Sequence, residues 1–411
     1  RPTLRAMTEP LPAEGLYVHV PFCVSLCPYC DFVVVAGSAA RGPRNRIAAL
    51  EQALHTELVL RSSDLAAGPA LRSVYLGGGT PSLLSARQVG SLLEAVDARL
   101  GVAADAEITL EANPGADEIG DLAGFRVVGV NRLSIGAQSL DDQELRRLGR
   151  RHRSTDVAAA VEAAREAGFE SLSLDLLTDV PGQTLDSWRA TLDAALALGP
   201  DHLSVYTLTL DDPDADGLTG ADGDHLPVSR GARAWRERAR PEQSEERAAE
   251  MELLTDELSE AAGLRRYEIA NLARPGYESR HNLLYWRRRP YLALGPGAHA
   301  SDGASTRTWN AARLDGYVGA LERGELPPGG SEVVDEATVL AESAILGLRL
   351  RVGIDLELAR AAGSSEGLDW ARDHDLLEEV AGRVRLTQEG RLLADEVFAR
   401  LLPTAASGTD A

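Results

Sequence analysis

The order of apolar and polar positions divides the chain into two regimes. From Leu16 to about Leu210, short β-branched runs alternate with longer amphipathic stretches. The runs predict strands at Leu16–Val20, Ser73–Leu76, Ile108–Glu111, Arg132–Ile135, Ser171–Leu177 and His202–Leu208. Helical periodicity fills the intervals, at Arg46–Arg61, Ala86–Leu100, Ala116–Phe125, Gln143–Leu148 with Asp156–Ala167, and Leu185–Leu198. Ser85 and Gln88 have the spacing of a capping box just before the second helix. Strands and helices in turn predict parallel βα units, and right-handed crossovers curl six of them into a partial (β/α)6 barrel of the α/β class.

After that the pattern breaks. Residues 211–246 hold an acidic, glycine-containing half and then an arginine-rich half, which predicts a long surface loop or insertion. A helix is expected at Glu245–Ala262, followed by a segment dense in aromatics and glycines. Between residues 331 and 402, helices, a turn and strand at Ala381–Leu386 and a last helix predict a small winged-helix-like α+β domain. The expected division is a tail at 1–15, the barrel at 16–210, an insertion with a barrel-closing segment at 211–330, the winged-helix-like domain at 331–402 and a tail at 403–411.

Composition narrows the function classes. A hydrophobic fraction of 44% is ordinary for a globular protein, and no apolar run approaches the roughly 18 residues of a membrane span. A formal charge of −21 repels nucleic acid and anionic membranes. The last domain, with 15 Asp and Glu against 8 Arg, is a poor candidate for DNA binding. All 42 basic residues are arginine, which excludes lysine Schiff bases, pyridoxal-phosphate chemistry and lysine-dependent P-loops. The N-terminal residues lack the apolar core of an export signal, and the odd cysteine count points to a reducing cytoplasm.

The candidate chemistry sits at strand ends. Cys23, Cys27 and Cys30 are the only cysteines in 411 residues, and they directly follow the first predicted strand. Three thiolates without a fourth leave one position open. Their C-x3-C-x2-C spacing suits a cubane iron–sulfur cluster, whereas structural zinc prefers paired C-x2-C knuckles. Zinc with His19 as fourth ligand is the competing reading. Gly78, Gly79 and Thr80 follow the second strand, Glu111 ends the third, Gln138 follows the fourth, Asp175 lies in the fifth and Tyr206 in the sixth. Singly, each could be a tight turn or a surface polar group; together they face one barrel mouth.

Cys23-Val-Ser-Leu-Cys27-Pro-Tyr-Cys30 resembles the signature of radical S-adenosylmethionine (SAM) proteins, whose three cysteines hold a [4Fe–4S] cluster with SAM at the open iron. LYVHVPFCVSLCPYCDF, YLGGGTPSLL, EITLEANPG, NRLSIGAQSL, PGQT, YEIANLARPGYESRHNLLYW and LGPGAHA further resemble the HemW haem chaperones, relatives of the oxygen-independent coproporphyrinogen III dehydrogenases. The resemblance implies Tyr17 and Tyr29 beside the cluster and SAM, Gly78, Gly79 and Thr80 at the methionyl part, and Glu111, Gln138, Arg150 and Asp175 around the pocket. Two features favour the chaperones. Phe32 stands where the dehydrogenases carry a further cysteine, and His281, Tyr285 and Trp286 match an H-N-x-x-Y-W motif associated with haem. The residue-level alternative for that motif is a buried His–Asn pair fixing a loop over the barrel. The implied function is haem binding and transfer to an acceptor protein, with an electron donor of the flavodoxin or NADH-linked reductase kind. The rival is oxidative decarboxylation of coproporphyrinogen III, and a third reading is a zinc-stabilised adaptor. Thr178-Asp179 and residues 211–246 depart from the family pattern.

Overall fold

The computed structural model describes residues 12–36, 46–63, 68–210, 217–362 and 365–402. Most of the two expected tails and the first residues of the 211–246 stretch therefore lie outside the described residues.

Six strands follow one another in parallel: β1 (Gly15–Val20), β2 (Leu71–Gly78), β3 (Val102–Ala112), β4 (Arg132–Gln138), β5 (Ser171–Thr178) and β6 (His202–Thr207). Their order in the sheet is their order in the chain. Helices α1 (Arg46–Ser62), α2 (Ala86–Leu100), α3 (Leu122–Val127), α4 (Asp142–Arg147), α5 (Ser154–Glu166) and α6 (Leu185–Ala197) lie between them. Ser85 and Gln88 do form a reciprocal capping box at the start of α2. The helix expected at Ala116–Phe125 begins only at Leu122, because Gly120 adopts φ +75° and interrupts the helical path.

The alternation along each strand separates two environments. Leu16, Val18, Leu76, Leu110, Leu133, Ile135, Leu172, Leu174 and Leu203 pack with the helices in one apolar core. The register aligns Gly15 with Ser73 and Ser73 with Glu107, and aligns Glu111 with Ser134, Ser134 with Ser173 and Ser173 with His202. The opposite face of the strands is therefore largely polar. A closed (β/α)8 barrel fills that space with branched apolar side chains; here it holds hydrogen-bonding groups and a cavity.

Further strands extend the sheet to twelve. β7 (Asn271–Ala273) pairs antiparallel to β6, and β8 (Tyr291–Leu294) pairs parallel to β1 on the other flank. The antiparallel series β9 (His299–Ser301), β10 (Thr306–Asn310) and β11 (Gly329–Val333) continues from β8. Within the stretch expected to be irregular, α7 (Arg230–Ala239) is a helix capped by Ser229. Its buried side consists of Ala232, Arg236 and Ala239, one turn apart, and an arginine on a buried face is what hid it from hydropathy. Helices α8 (Glu245–Ala261), α9 (Arg280–Trp286), α10 (Leu314–Glu322) and α11 (Glu336–Arg349) follow.

Beyond α11, helices surround a small antiparallel sheet of Ile354–Asp355, Leu377–Val380 and Arg383–Leu386 with its own apolar core. The hairpin turns at Ala381 and Gly382, whose φ values of 51° and 76° give the left-handed pair a two-residue turn requires. No described helix is long and apolar enough to cross a membrane.

Candidate functional site

The chain leaving β1 forms the cysteine loop across the C-terminal end of the barrel. Cys23 lies on a two-residue strand, Phe22–Cys23, paired in parallel with Val35–Ala36. The loop is pinned by its backbone: Gly79 N–H donates to the Val20 carbonyl (2.9 Å) and Thr80 N–H to that of Phe22 (2.7 Å). This crossing explains the glycines. A Cβ on Gly79 would stand 2.7 Å from the Phe22 carbonyl oxygen, and one on Gly78, at φ +110°, would enter the His19 ring.

The three thiols line one cavity of about 600 Å³, which also takes in Tyr29, Glu111, Asn113, Gln138, Arg150 and Asp175. A hydrogen-bond chain joins two of the cysteines. Thr80 Oγ1 donates to Cys23 Sγ (3.4 Å) and accepts from Asn113 Nδ2 (3.0 Å). Asn113 Oδ1 accepts from Arg150 Nη2 (2.6 Å), and Arg150 Nη1 reaches Cys27 Sγ at 3.7 Å. Burial and the neighbouring thiols push Cys23 up to about 11 and Cys30 up to about 12. Burial opposes the charge of Arg150, yet Tyr29, Cys27 and Glu118 outweigh it and keep the guanidinium protonated. The site thus concentrates thiols whose ionised form needs a strong positive partner, which is what the irons of a cluster supply. Zinc would need a fourth protein ligand beside the three thiols. Both nitrogens of His19 are already engaged, Nδ1 with the Tyr17 hydroxyl (2.9 Å) and Nε2 with the Val33 carbonyl (2.8 Å).

Glu111 bridges the mouth and the interior. Its carboxylate accepts from Gly78 N–H (2.9 Å) and the Tyr75 hydroxyl (2.7 Å). Burial, reinforced by Asp175, raises it to about 7. Asp175 is also raised by burial and accepts from Ser134 Oγ (3.0 Å) and Ser173 Oγ (3.2 Å). Gln138 sits at φ +67°, beside a register shift between β4 and β5. A non-glycine residue held there costs on the order of 1 kcal/mol or more, so the mouth stores some strain.

The opposite end is closed by α9. His281 is 1% exposed and lies beneath Tyr75, with ring centroids 5.2 Å apart. Its Nδ1 bonds Ser73 Oγ (2.9 Å), its Nε2 bonds the Tyr285 hydroxyl (2.8 Å), and its backbone N–H donates to Glu107 (3.1 Å). Gly15, at the start of β1, is so close that a Cβ would stand 2.7 Å from Ser73 Oγ. Burial and the Arg132 charge lower His281 to about 3, so the imidazole is neutral. Tyr285 packs edge-on against Tyr291 (4.7 Å), and Trp286 lies under the Arg349 guanidinium (4.2 Å).

Residues 17–195 match the radical SAM superfamily. The chain is 37% identical to the heme chaperone HemW of Mycobacterium tuberculosis over 395 residues, 96% of both chains. It is 34% identical to that of Bacillus subtilis over 398 residues, 95% of this chain and 99% of the relative. The chain belongs to the HemW family of radical SAM proteins. The coproporphyrinogen III oxidase HemN of Escherichia coli, described as a radical SAM enzyme, shares the fold, with a TM-score of 0.77 over 97% of this chain and 92% of that one at 23% identity.

In this HemW-family chain the expected site residues divide into two groups. Cys23, Cys27, Cys30, Tyr29, Gly78, Gly79, Glu111, Gln138, Arg150 and Asp175 share the mouth cavity, and Thr80 touches it through Cys23. Tyr17 does not line the cavity. It stands one layer deeper, stacked on Tyr75 at 6.2 Å, because residue 17 faces inward two positions below His19. His281, Tyr285 and Trp286 are not at the mouth either; α9 seats them against the strand starts. Two residues escaped the sequence reading. Asn113 is the middle of the chain between Cys23 and Cys27, and only its place after Glu111 hinted at a role. Arg236 of α7 grips the cysteine loop, donating to the carbonyls of Pro28 (3.1 Å), Tyr29 (3.3 Å) and Cys30 (2.9 Å), while Trp235 packs on Tyr29. Nothing in the sequence pointed one arginine among so many at that loop.

Proposed function

We propose that the chain holds a [4Fe–4S] cluster on Cys23, Cys27 and Cys30, binds SAM against it, and in the cytoplasm carries haem to an acceptor protein. The carrying observation is the shared cavity in which a hydrogen-bond chain through Thr80, Asn113 and Arg150 ties Cys23 to Cys27. Cys23, Cys27 and Cys30 would hold the cluster, which would supply redox chemistry beside SAM with electrons from a flavodoxin-like or NADH-linked donor. Arg150 keeps a fixed positive charge beside the Cys27 sulfur. Glu111 offers a carboxylate to a cationic amine, and because it titrates near neutrality a bound cation would hold it ionised. Gly78 and Gly79, whose missing side chains let His19 and the cysteine loop pack against them, put backbone groups on the cavity wall. Haem as cargo rests on kinship with relatives named heme chaperones.

Anaerobic reconstitution followed by iron and sulfide analysis, with a haem titration on the same sample, tests this reading. About four irons per chain and a Soret shift are expected. Zinc in place of iron, or no haem binding, overturns it. Formation of protoporphyrinogen from coproporphyrinogen III with SAM and a reductant would support the dehydrogenase alternative.

A further inference from the structure

We propose that the outer face of the cysteine loop, with the arginine-rich segments packed on it, is the docking surface for an acidic one-electron carrier protein. The inference rests on the cluster reading and names the partner that would reduce it. Residues 145–153, at the end of α4 and in the turn before α5, hold five arginines and no acid. Residues 229–240, which include α7, hold five arginines and one glutamate. Two short segments thus carry ten of the 42 arginines but one of the 63 acidic residues. The fold brings both onto the cysteine loop. A Cβ on Gly149 would stand 2.9 Å from Pro28 Cδ, and Arg236 of α7 holds the carbonyls of Pro28, Tyr29 and Cys30. Trp235 Nε1 donates to the Arg147 carbonyl (3.0 Å), which joins one segment to the other.

Arg146, Arg147, Arg151 and Arg153 of the first segment are exposed, as are Arg230 and Arg240 of the second. Nearby carboxylates offset part of this charge: Asp117 meets Arg151 at 3.1 Å, and Asp31 lies 4.0 Å from Arg236. Asp142 accepts from Ser154 N–H (2.9 Å). The loop itself turns apolar side chains to solvent. Leu26 is 44% exposed and Phe32 67%, one on each side of the Cys27–Cys30 turn, and both edge the cavity that holds the thiols. A single exposed apolar residue is ordinary. Two on the loop that carries the thiols, bordered by arginine, have the apolar centre and polar rim of an interface.

The chemistry of the surface selects its partner. Exposed guanidinium groups pair with carboxylates, so the partner presents an acidic face. A nucleic acid would meet the same arginines, but a chain at −21 repels a long polyanion. Position gives the partner its task. Trp235 packs on Tyr29 at 6.5 Å, and Tyr29 lines the thiol cavity, so a protein seated here is one layer of side chains from the thiols. NADH gives up two electrons as hydride, whereas a [4Fe–4S] cluster takes one, so a flavin-type carrier must stand between them. In the transfer the carrier's reduced flavin loses one electron and the cluster gains it; no bond forms or breaks. Electron-transfer pairs use small, charge-steered contacts, which two apolar residues and an arginine rim provide.

Calorimetric titration of the full chain with flavodoxin, an acidic flavin carrier, gives a readout that needs no cluster. Binding should weaken as salt rises. Arg146→Glu combined with Arg153→Glu should weaken it at least about tenfold, and Phe32→Ala by about threefold or more. Arg360→Glu with Arg372→Glu, in the last domain, makes the same change in net charge and should leave binding unchanged. On the reconstituted chain, the mouth pair should slow cluster reduction by reduced flavodoxin to the same degree. Photoreduction by free deazaflavin, which docks on no surface, should keep its rate. Arg146→Gln with Arg153→Gln covers the case in which charge reversal prevents folding. Wild-type affinity and reduction rate in the mouth variants overturn the assignment, and so does an equal loss in the distant pair. Self-association that the mouth pair abolishes, with flavodoxin binding unchanged, gives the surface to a second copy of the chain and also overturns it. A chain that assembles no cluster overturns both readings; an assembled cluster that flavodoxin neither binds nor reduces overturns this one alone.

Discussion

At the floor of the barrel, His281 bonds Ser73, Tyr285 and Glu107; at the mouth, Thr80 donates to Cys23 and Arg150 to Cys27. Both ends are buried, and burial shifts the titrating groups at both. The consequences differ. A buried neutral histidine with two partners is at rest, because its polar atoms are satisfied and its protonated form is disfavoured. Buried thiols gathered on one cavity wall, two of them raised by that burial, are in an environment that a cationic cluster would relieve. Residue type therefore says less about function than whether the bonding capacity of a group is already taken.

The comparison can be broken at either end. The largest effect is expected from Cys27→Ala, which should abolish cluster iron and sulfide while the apo-protein keeps its melting temperature, since that thiol supports no part of the core. His281→Ala should do the reverse: destabilise the chain by about 2–4 kcal/mol in urea unfolding, as the Ser73 and Tyr285 hydroxyls lose their partner, with iron content per folded chain unchanged. Loss of the cluster in that variant would mean that floor and mouth are not separate. Arg236→Ala leaves three loop carbonyls without their donor, and should cost about 1–2 kcal/mol and speed iron release to a chelator several-fold.

Acid provides a smaller, graded test. His281 is lowered to about 3 and His19 to about 4, both by burial. Folded chains therefore bind fewer protons than unfolded ones below pH 6.5, and stability should fall as pH drops from 6.5 towards 4. Glu111, raised to about 7, works in the opposite direction between its ordinary range and neutrality, as do the buried Asp175 and Glu268, while His152 and His202, also lowered by burial, add to the histidine side. His281→Phe should flatten the slope of melting temperature against pH; an unchanged slope would show that this imidazole is not buried neutral. The smallest effect is expected from Phe32→Ala. Phe32 is 67% exposed, so stability should change by no more than about 0.5 kcal/mol and cluster content should stay constant.

Much of the barrel was legible in the chain because its signals are local. Strand alternation, the capping box at Ser85 and the spacing of Cys23, Cys27 and Cys30 all lie within a few residues, where covalent geometry fixes which face each side chain takes. The helix at Arg230–Ala239 was not legible, since its buried stripe carries Arg236 and reads as solvated charge. Its purpose appears only against carbonyls more than two hundred residues earlier.

The sequence by itself determined the parallel βα order, the three-thiol loop and the glycines that let strand β2 pass beneath it. The tertiary structure alone decided what each histidine is free to do. His281 meets Ser73 across 208 residues, and His299 meets Asp224 with several helices and strands of the chain between them. A hydrogen-bonding valence is filled by whatever the fold brings within 3 Å, and long-range partners leave no trace in the local pattern of the sequence.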